Sequence, residues 1–453
     1  MSVIAAIATP NASGGIGVIR ISGEGAIEVA ERVFRAASGK KLGDLPGYCA
    51  LYGHVYDGDE RIDECVALVF RAPKSYTGED VAELSCHGGL YVTQRVLRAV
   101  LAHGAVPAEA GEFTKRAFLN GKIDLAEAEA VMNIISAHGQ QALNAAMNTL
   151  DGKLSEKVHA IASSLTHLSA AVAVWTDDPD EDVPEAHEEN VCKGIEDALA
   201  ELEALLRNFD SGRAVTQGVS AAICGHPNVG KSTLMNLLTG FDRSIVTDIA
   251  GTTRDVVEET VRIGDIVLRL ADTAGIHDSD DPVESIGIDR SLQKIDSSEL
   301  ILAVFDGSQA LTQDDKLLLE KCRGKRAIAL LNKTDLLLQL DPEEIRQSIP
   351  QLVPISAVTG EGIEEQKAAL SAVLGTAELD TSSGMLANER QYLCCRQAVS
   401  SLREALDGLE LGITLDAVNV SMDYAIGKLL ELTGEKARDA VVNEVFAEFC
   451  VGK

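Results

Sequence analysis

The sequence is poor in aromatic residues and in positive charge. Phe, Trp and Tyr make up 4% of its 453 residues, so its cores must be built mainly from aliphatic side chains. Lys and Arg number 40 against 70 Asp and Glu, which gives a formal net charge of −30. This balance argues against a broad basic surface for nonspecific nucleic-acid binding, although it leaves room for a local basic patch or a basic partner. Most of the carboxylates are best interpreted as a solvated acidic surface.

The cysteine patterns of zinc sites and disulfide-rich domains are also missing. The nine cysteines are scattered, with no Cys-x-x-Cys pair and no Cys/His cluster at zinc spacing. Cys394 and Cys395 are adjacent, which suits neither a normal disulfide nor a metal cage. Reduced thiols are typical of cytoplasmic proteins, so we expect a cytoplasmic location.

Membrane-targeting signals are not apparent. The sequence does not open on a basic segment followed by an apolar core, so no signal peptide is expected. The longest apolar run, at residues 168–175, is well short of the ~20 residues that a membrane span needs. A hydrophobic content of 46% supports globular folding, and the length predicts two or three domains.

Residues 225–232, GHPNVGKS, carry the strongest functional signal. Two glycines, Lys231 and Ser232 have the spacing of a phosphate-binding loop. An apolar, strand-like run at 219–224 precedes the loop, and helical residues 233–238 follow it. Backbone N–H groups and the helix dipole at such a junction favour phosphate. Lys231 would bridge the terminal phosphates and the Ser232 hydroxyl would bind Mg²⁺.

Further motifs follow other candidate strands, where open α/β sheets bind ligands. DTAG follows an apolar run at 266–271, NKTD follows one at 327–331, and Ser356-Ala357 follows residues 353–355. An Asp accepts two N–H donors from the edge of guanine that adenine lacks, so Asp335 predicts GTP rather than ATP. Asn332 would support the loop and the base, and Lys333 would cover the ring.

Hydrolysis of GTP needs charge neutralisation and an oriented water molecule. Ser232 and Thr253 can ligate Mg²⁺ directly, and Asp272 can hold it through water. Gly275 can donate its N–H to the γ-phosphate. Ile276 stands where many GTPases place a water-orienting Gln, so another group must act, and Glu284 is the candidate.

An arginine finger is not clearly placed in this region. Arg254 lies beside the candidate switch, but its Thr-Arg-Asp context suits a structural ion pair equally well. Because a finger contributes about 10³–10⁵ in rate, something should replace it. A monovalent cation held by the Asn228 side chain is one solution.

Periodicity predicts mixed α/β structure at the N-terminus and helices beyond it. Candidate strands lie at 4–7, 17–21, 65–70 and 81–85, with helices at 26–37 and 91–103. Long helical segments are expected at 125–150, 154–174 and 188–209, the last ending at Ser211 and Gly212. An acidic break separates the last two at 177–184, residues 381–384 are a hinge candidate, and residues from 386 onward are mostly helical.

This organisation predicts a multidomain α+β and α/β protein. The expected parts are an N-terminal α/β domain at 1–120, a helical part at 121–214, a phosphate-loop GTPase domain at 215–377 and a second helical part at 378–453. Helical segments flank the GTPase region on both sides. The economical architecture inserts a Ras-like, doubly wound GTPase domain into one helical domain.

Several motifs resemble the MnmE (TrmE) family of bacterial tRNA-modification GTPases. In the GTPase region these are Asn228, DIAGTTRD at 248–255, DTAG at 272–275 and NKTD at 332–335. Elsewhere they are SYTGED at 75–80, HGG at 87–89, GEFT at 111–114, RAFLN at 116–120 and the terminal CVGK at 450–453. The likeness covers essentially the whole chain, and a terminal Cys-x-Gly-Lys joined to an internal GTPase is highly specific.

The resemblance implies a set of sites. Potassium would replace the arginine finger, bound by the Asn228 side chain and by Thr247, Ile249 and Thr252, and Glu284 matches the catalytic glutamate of the family. A formyl- or methylene-tetrahydrofolate would bind the N-terminal domain at Arg20, Glu83, Lys122 and Lys453. Cys450, the terminal cysteine, is either catalytic or packed beside the folate. The full set expected to bind nucleotide is Asn228, Val229, Gly230, Lys231, Ser232, Thr233, Thr247, Asp248, Ile249, Ala250, Gly251, Thr252, Thr253, Asp272, Thr273, Ala274, Gly275, Asn332, Lys333, Asp335, Ser356 and Ala357.

The resemblance also implies partners and a reaction. The N-terminal domains would form a homodimer, and a flavin-dependent partner, MnmG, would join in a heterotetramer or larger assembly. Together they would add an aminomethyl or carboxymethylaminomethyl group to C5 of the wobble uridine of certain tRNAs. The chain itself lacks a GxGxxG flavin fingerprint after a strand, so FAD should belong to the partner. Small departures from the family pattern are His226, residues 11–13 and Val451.

Two other functions stay open from the residues alone. One is a ribosome-assembly GTPase of the Era or Der type, although neither a KH-like basic loop nor a second GTPase domain is visible. The other is a regulatory switch that hydrolyses GTP only to reset itself.

Overall fold

The computed structural model describes residues 2–178, 183–241, 259–264, 266–270, 295–377, 379–380, 384–447 and 449–452. The chain divides into two compact units. The first comprises Met1–Met132, Val158–Ser169 and Asn419–Lys453, and the second comprises Asn133–Lys157 and Ala170–Val418.

A seven-stranded sheet forms the centre of the first unit. Its strands lie in the order β3-β4-β5-β6-β2-β1-β7, antiparallel except where β7 runs parallel to β1. The strands are β1 (Ile4–Ile7), β2 (Ile16–Ser22), β3 (Phe34–Ala36), β4 (Cys49–Asp57), β5 (Glu60–Phe70), β6 (Val81–His87) and β7 (Val106–Pro107).

Alternation of buried and exposed residues gives this sheet one closed face. Inward residues of β2 and β6, such as Ile19, Ile21 and Leu84, are fully buried with the apolar sides of two helices. These helices are α1 (Ala26–Val33) and α2 (Leu90–Ala102). Polar residues Arg20 and Glu83 point to the opposite face, because side chains alternate along a strand.

Five expected elements of this unit differ in their bounds. The helix predicted at 26–37 ends at Val33, and the residues after it form β3, which pairs antiparallel with β4. The β-branched Val33 and the aromatic Phe34 favour extended backbone at that point. Strand β2 extends beyond the expected 17–21, β5 beyond 65–70 and β6 beyond 81–85. Helix α2 begins and ends one residue before the expected 91–103.

The helical segments break more often than predicted. Residues 125–150 form two helices, and Ser211 and Gly212 lie inside a helix rather than ending one. A Cβ on Gly212 would lie 2.6 Å from the Met385 Cε atom, so the glycine permits close packing. Helices α9–α12 belong to the nucleotide-binding region and are given with its sheet below. The other helices after α2 are α3 (Glu112–Leu119), α4 (Leu125–Ile135), α5 (Gln140–Leu150), α6 (Lys153–Asp177), α7 (Glu188–Arg207), α8 (Phe209–Thr216), α13 (Glu389–Glu410), α14 (Leu415–Thr433) and α15 (Asp439–Ala447).

A six-stranded sheet forms the centre of the second unit. Its order is β13-β12-β11-β8-β10-β9, with every neighbouring pair parallel except β10 and β9. The strands are β8 (Val219–Cys224), β9 (Glu259–Ile263), β10 (Ile266–Leu270), β11 (Leu300–Asp306), β12 (Ala327–Asn332) and β13 (Leu352–Pro354), and the helices are α9 (Lys231–Phe241), α10 (Gln313–Cys322), α11 (Pro342–Arg346) and α12 (Ile363–Val373).

Apolar clusters cover both faces of this sheet. One includes Leu268, Leu302 and Leu330 with residues of α9 and α12, and the other includes Phe305 and Leu331 with residues of α10 and α11. A parallel sheet with helices on both faces confirms the doubly wound fold expected here. It brings the carboxyl ends of β8, β11 and β12 to one edge.

By length and composition, one described helix, α6, could cross a membrane. A single helix of this kind is weak evidence for a span, because helices in the cores of soluble proteins pass the same test.

Candidate nucleotide-binding and N-terminal sites

The phosphate loop lies between β8 and α9. Lys231 is the first residue of α9, and its Nζ atom donates to the carbonyl oxygens of Gly225 and His226, at 2.9 and 3.0 Å. Ser232 follows in the first helical turn. The loop therefore presents a lysine ammonium and a hydroxyl at a helix N-terminus, the donor set that a nucleotide polyphosphate with Mg²⁺ requires.

Gly230 is required by close contact with Asn332. Its φ is 97°, and a Cβ there would lie 2.3 Å from the Asn332 Nδ2 atom. That atom donates to the Val229 carbonyl at 2.7 Å, while Oδ1 of the same side chain accepts from the Ala357 N–H at 2.9 Å. Asn332 is buried. The structure therefore joins three of the sequence-predicted segments through one amide.

The candidate guanine-recognition residues lie on two adjoining loops. The Ser356 hydroxyl donates to Oδ1 of Asp335 at 2.7 Å, and Ser356 is itself buried. Asp335 is exposed, so its carboxylate is oriented by the loop behind it and open on its other side. This arrangement leaves carboxylate lone pairs for N–H donors from a base.

Lys333 has a backbone φ of 64°, and its Nζ atom lies 2.6 Å from Oδ2 of Asp306. Asp306 is the last residue of β11 and pairs in register with Asn332. Burial alone would raise the pKa of Asp306, but hydrogen bonds from Lys333 and Ser308 outweigh it and hold the pKa below its usual range. The sequence interpretation missed Asp306. The available signal was a polar residue directly after the apolar run 300–305, which is the pattern that revealed the other motifs.

In the first unit, Arg20 and Glu83 pair across β2 and β6. The Arg20 Nε atom donates to Oε1 of Glu83 at 2.8 Å, and both side chains are about one-fifth exposed. The Arg20 guanidinium lies 5.7 Å from the ring centroids of both Tyr76 and Phe113. Lys122 is exposed and donates to the Pro73 carbonyl at 3.2 Å. An anionic acceptor, cations and aromatic rings thus occur together here.

The C-terminal tail lies against the same region. Val451 forms an antiparallel bridge with Ala110, and the Gly452 carbonyl accepts from Arg20 Nη1 at 3.5 Å. Gly452 has a φ of 99°, and a Cβ there would lie 2.4 Å from the Ile7 carbonyl oxygen. Cys450 is exposed beside this bridge. The tail therefore brings Cys450 into the region that holds Arg20 and Glu83.

Several sequence-predicted residues lie outside the described part of the chain, so their positions stay predictions. They are Thr247, Asp248, Ile249, Ala250, Gly251, Thr252, Thr253, Asp272, Thr273, Ala274, Gly275, Glu284 and Lys453, together with Arg254 and Ile276.

Comparison with known proteins covers nearly the whole chain. A family model described as the MnmE helical domain matches residues 125–450, and one described as the GTP-binding protein TrmE N-terminus matches residues 3–122. The tRNA modification GTPase MnmE of Enterococcus faecalis is 40% identical over 458 residues, covering 99% of this chain and 98% of that protein. Its counterpart in Geobacillus kaustophilus is 40% identical over 456 residues, covering 99% of both.

The chain belongs to the MnmE family of tRNA modification GTPases. This confirms the family expected from the motifs and makes the chain a GTP-hydrolysing enzyme of a tRNA-modifying family. The full-length relationship favours MnmE over an Era- or Der-like protein. Among solved structures, the G domain of T. maritima FeoB is 28% identical, covers 34% of this chain and 98% of that one, and has a TM-score of 0.25, too low to add to the assignment of the fold.

Proposed function

We propose that this MnmE-family GTPase is activated by potassium and acts with the flavin-dependent MnmG to modify C5 of the wobble uridine in certain tRNAs. The added group would be aminomethyl or carboxymethylaminomethyl. The observation that carries the proposal is the relationship to MnmE proteins over 99% of the chain, including the N-terminal and tail regions outside the GTPase domain. A GTPase fold alone would not favour tRNA modification.

On this proposal, the described residues have separate roles in binding the nucleotide. Lys231 and the loop N–H groups bind phosphate, and Ser232 supplies a hydroxyl to the Mg²⁺ ion that neutralises charge on the β–γ bridge. Asp335 accepts N–H donors of guanine, Lys333 covers the ring, and Asn332 fixes the loops. Thr253, Asp272 and Glu284 are proposed for the metal and the attacking water.

Asn228 is the described candidate for binding potassium. It is exposed in the phosphate loop, and its φ of 64° lies in the left-handed region. An amide oxygen is a ligand that hard cations accept. Thr247, Ile249 and Thr252 would complete the set.

A tetrahydrofolate fits the N-terminal site by the chemistry of its donor set. Glu83 can accept paired N–H donors from a pterin edge, and Arg20 and Lys122 can bind the carboxylates of a glutamate tail. Tyr76 and Phe113 provide aromatic surface beside Arg20. When bound, the folate would supply a one-carbon unit. Cys450 is either a catalytic thiol there or a packing residue.

The proposed assembly is a cytoplasmic homodimer formed through the N-terminal domains, which associates with MnmG and tRNA. The segments 1–120, 121–214, 215–377 and 378–453 remain the proposed domains.

The nucleotide proposal is tested by GTP turnover in matched KCl and NaCl. We expect at least about a tenfold faster turnover in K⁺, since the ion stands in for a finger that contributes 10³ or more. Asn228→Ala should lose the K⁺/Na⁺ ratio while it still binds GDP. Equal turnover of the wild type in the two salts would refute potassium activation and favour a regulatory switch.

The tRNA proposal is tested separately by mass spectrometry of tRNA nucleosides. Deleting the gene for this chain should remove C5-modified wobble uridines, and the wild-type chain with MnmG should restore them.

For the folate site, calorimetry with 5-formyl-tetrahydrofolate should show binding that Glu83→Gln abolishes. Glu24→Gln, at an exposed glutamate in the same domain, is the matched control and should bind normally. Normal binding by Glu83→Gln would exclude this site.

A further inference from the structure

Asp306 lies where the nucleotide-binding sheet meets the guanine-recognition loop. It is the last residue of β11, one strand away from β8, and its side chain is 10% exposed. Parallel register places it opposite Asn332, the first residue of the NKTD motif. Its carboxylate thus lies beside the residue that precedes Lys333.

The donors around Asp306 divide between its two oxygens. Oδ1 accepts from the Ser308 backbone N–H at 2.9 Å and from the Ser308 hydroxyl at 2.6 Å. Oδ2 accepts from Lys333 Nζ at 2.6 Å and from Gln309 Nε2 at 3.3 Å. One oxygen therefore anchors the carboxylate to its own loop, and the other holds the lysine.

The conformation of Lys333 carries two costs that a partner can offset. A φ of 64° is unfavourable for a residue with a Cβ. A lysine side chain also loses much rotamer freedom when it is fixed in one geometry. A half-buried carboxylate at 2.6 Å can offset these costs before any ligand arrives, because charge-assisted hydrogen bonds are stronger than neutral ones.

We infer that Asp306 is a positioning residue for guanine-nucleotide binding. It fixes the ammonium end of Lys333, so that the aliphatic stem is already extended along the edge of the sheet where the base binds. This rests on the proposed role of Lys333 in covering the ring. A preformed lysine saves the cost of ordering that side chain on binding, which corresponds to about two- to tenfold in affinity. Because GTP, GDP and the transition state share the base, the loss should appear in KM rather than in kcat.

Asp306→Asn is the direct test. Asn keeps an oxygen for Ser308 but places an N–H₂ donor opposite the Lys333 ammonium. We expect binding of fluorescent GDP to weaken about two- to tenfold, and KM for GTP to rise by a similar factor. The matched control is Asp296→Asn, which removes the more exposed ion pair with Lys325 in the same domain and should leave Kd unchanged.

A double-mutant cycle separates positioning from a general structural role. Lys333→Met keeps the aliphatic stem and removes the ammonium, so Asp306→Asn should have almost no further effect on Kd in that background. Additive losses in the double variant would overturn the inference. If Lys333→Met and Lys333→Ala both bound GDP normally, the proposed role of Lys333 would fail instead. Thermal midpoints of the variants should remain within about 2 °C of each other; a general loss of folding would overturn the positioning role.

Discussion

Gln366 is buried without a hydrogen-bond partner in the core of the nucleotide-binding domain. It lies on α12 between Ile363 and Leu370, which belong to the apolar cluster on that side of the sheet, and it is 1% exposed. Neither its Nε2 nor its Oε1 atom has a partner in the described structure. An unpartnered buried polar group costs about 1–3 kcal/mol, and a leucine of similar volume removes that cost.

Gln366→Leu should therefore stabilise this domain by about 1–3 kcal/mol. For a domain of this size, about 1 kcal/mol moves the thermal midpoint by 2–4 °C, so the expected rise is about 2–12 °C. Differential scanning calorimetry of the full chain measures it, and the relevant transition is the one that GDP also moves upward, because a ligand stabilises only the domain that binds it. Gln366→Glu should lower the same midpoint, since it introduces a buried unpaired charge.

The matched control is Gln347→Leu, at an exposed glutamine at the end of α11 in the same domain. It relieves no buried polar group and should change stability by less than about 0.5 kcal/mol. A lower midpoint for Gln366→Leu, with Gln347→Leu unchanged, would show that the Gln366 amide is satisfied and would refute the reasoning.

Three further outcomes follow from the described contacts. Gly230→Ala should weaken GDP binding at least about tenfold in a fluorescence titration, because it combines about 1–3 kcal/mol of backbone strain with a clash at Asn332. The control is Gly324→Ala, which should bind GDP normally, because Gly324 has a φ of 77° but open space around it. The hydrogen bond to Asp63 raises the pKa of His87. The pair therefore stabilises the fold fully below the usual histidine pKa of about 6.5, and this stability is lost as pH rises through the pKa of the folded state. Asp63→Asn should lower the NMR titration midpoint of His87, and an unchanged midpoint would contradict the pairing. Iodoacetamide should modify Cys450 well before Cys395, because Cys450 is exposed, whereas burial raises the pKa of Cys395 to about 12. Peptide mass spectrometry would measure the two rates, and equal rates would contradict the burial of Cys395.

The sequence predicted the edge of the nucleotide-binding sheet well because each candidate motif there follows an apolar run. Strands β8, β12 and β13 end within one residue of their expected ends, and the motifs after them converge as parallel topology requires. The full-length motif pattern predicted the family for a related reason, since the terminal tail and the internal GTPase are both specific.

Helix ends and side-chain contacts were less predictable. Residues 136–139 break the expected long helix without a proline, and Gly139 caps α5 in extended conformation. Gly212 was expected to end a helix, but it serves packing against Met385 instead. Propensity describes a residue with its neighbours in sequence, whereas the contact of Gly212 depends on a residue far away in the chain. The contact of Asp306 with Lys333 is invisible to propensity for the same reason.

The contacts at the base end of the site have a consequence for how the enzyme distinguishes its nucleotides. Asn332 joins the phosphate loop to Ala357, Ser356 orients Asp335, and Asp306 holds Lys333, all by bonds within the protein. None of these contacts involves a group that differs between GTP and GDP. A ligand can shift an equilibrium only through contacts that differ between the two states. We therefore expect GTP and GDP to be distinguished at the phosphate end, which is the role proposed for the motifs at 247–253 and 272–275. Disruption of Asp306 should weaken both nucleotides by the same factor.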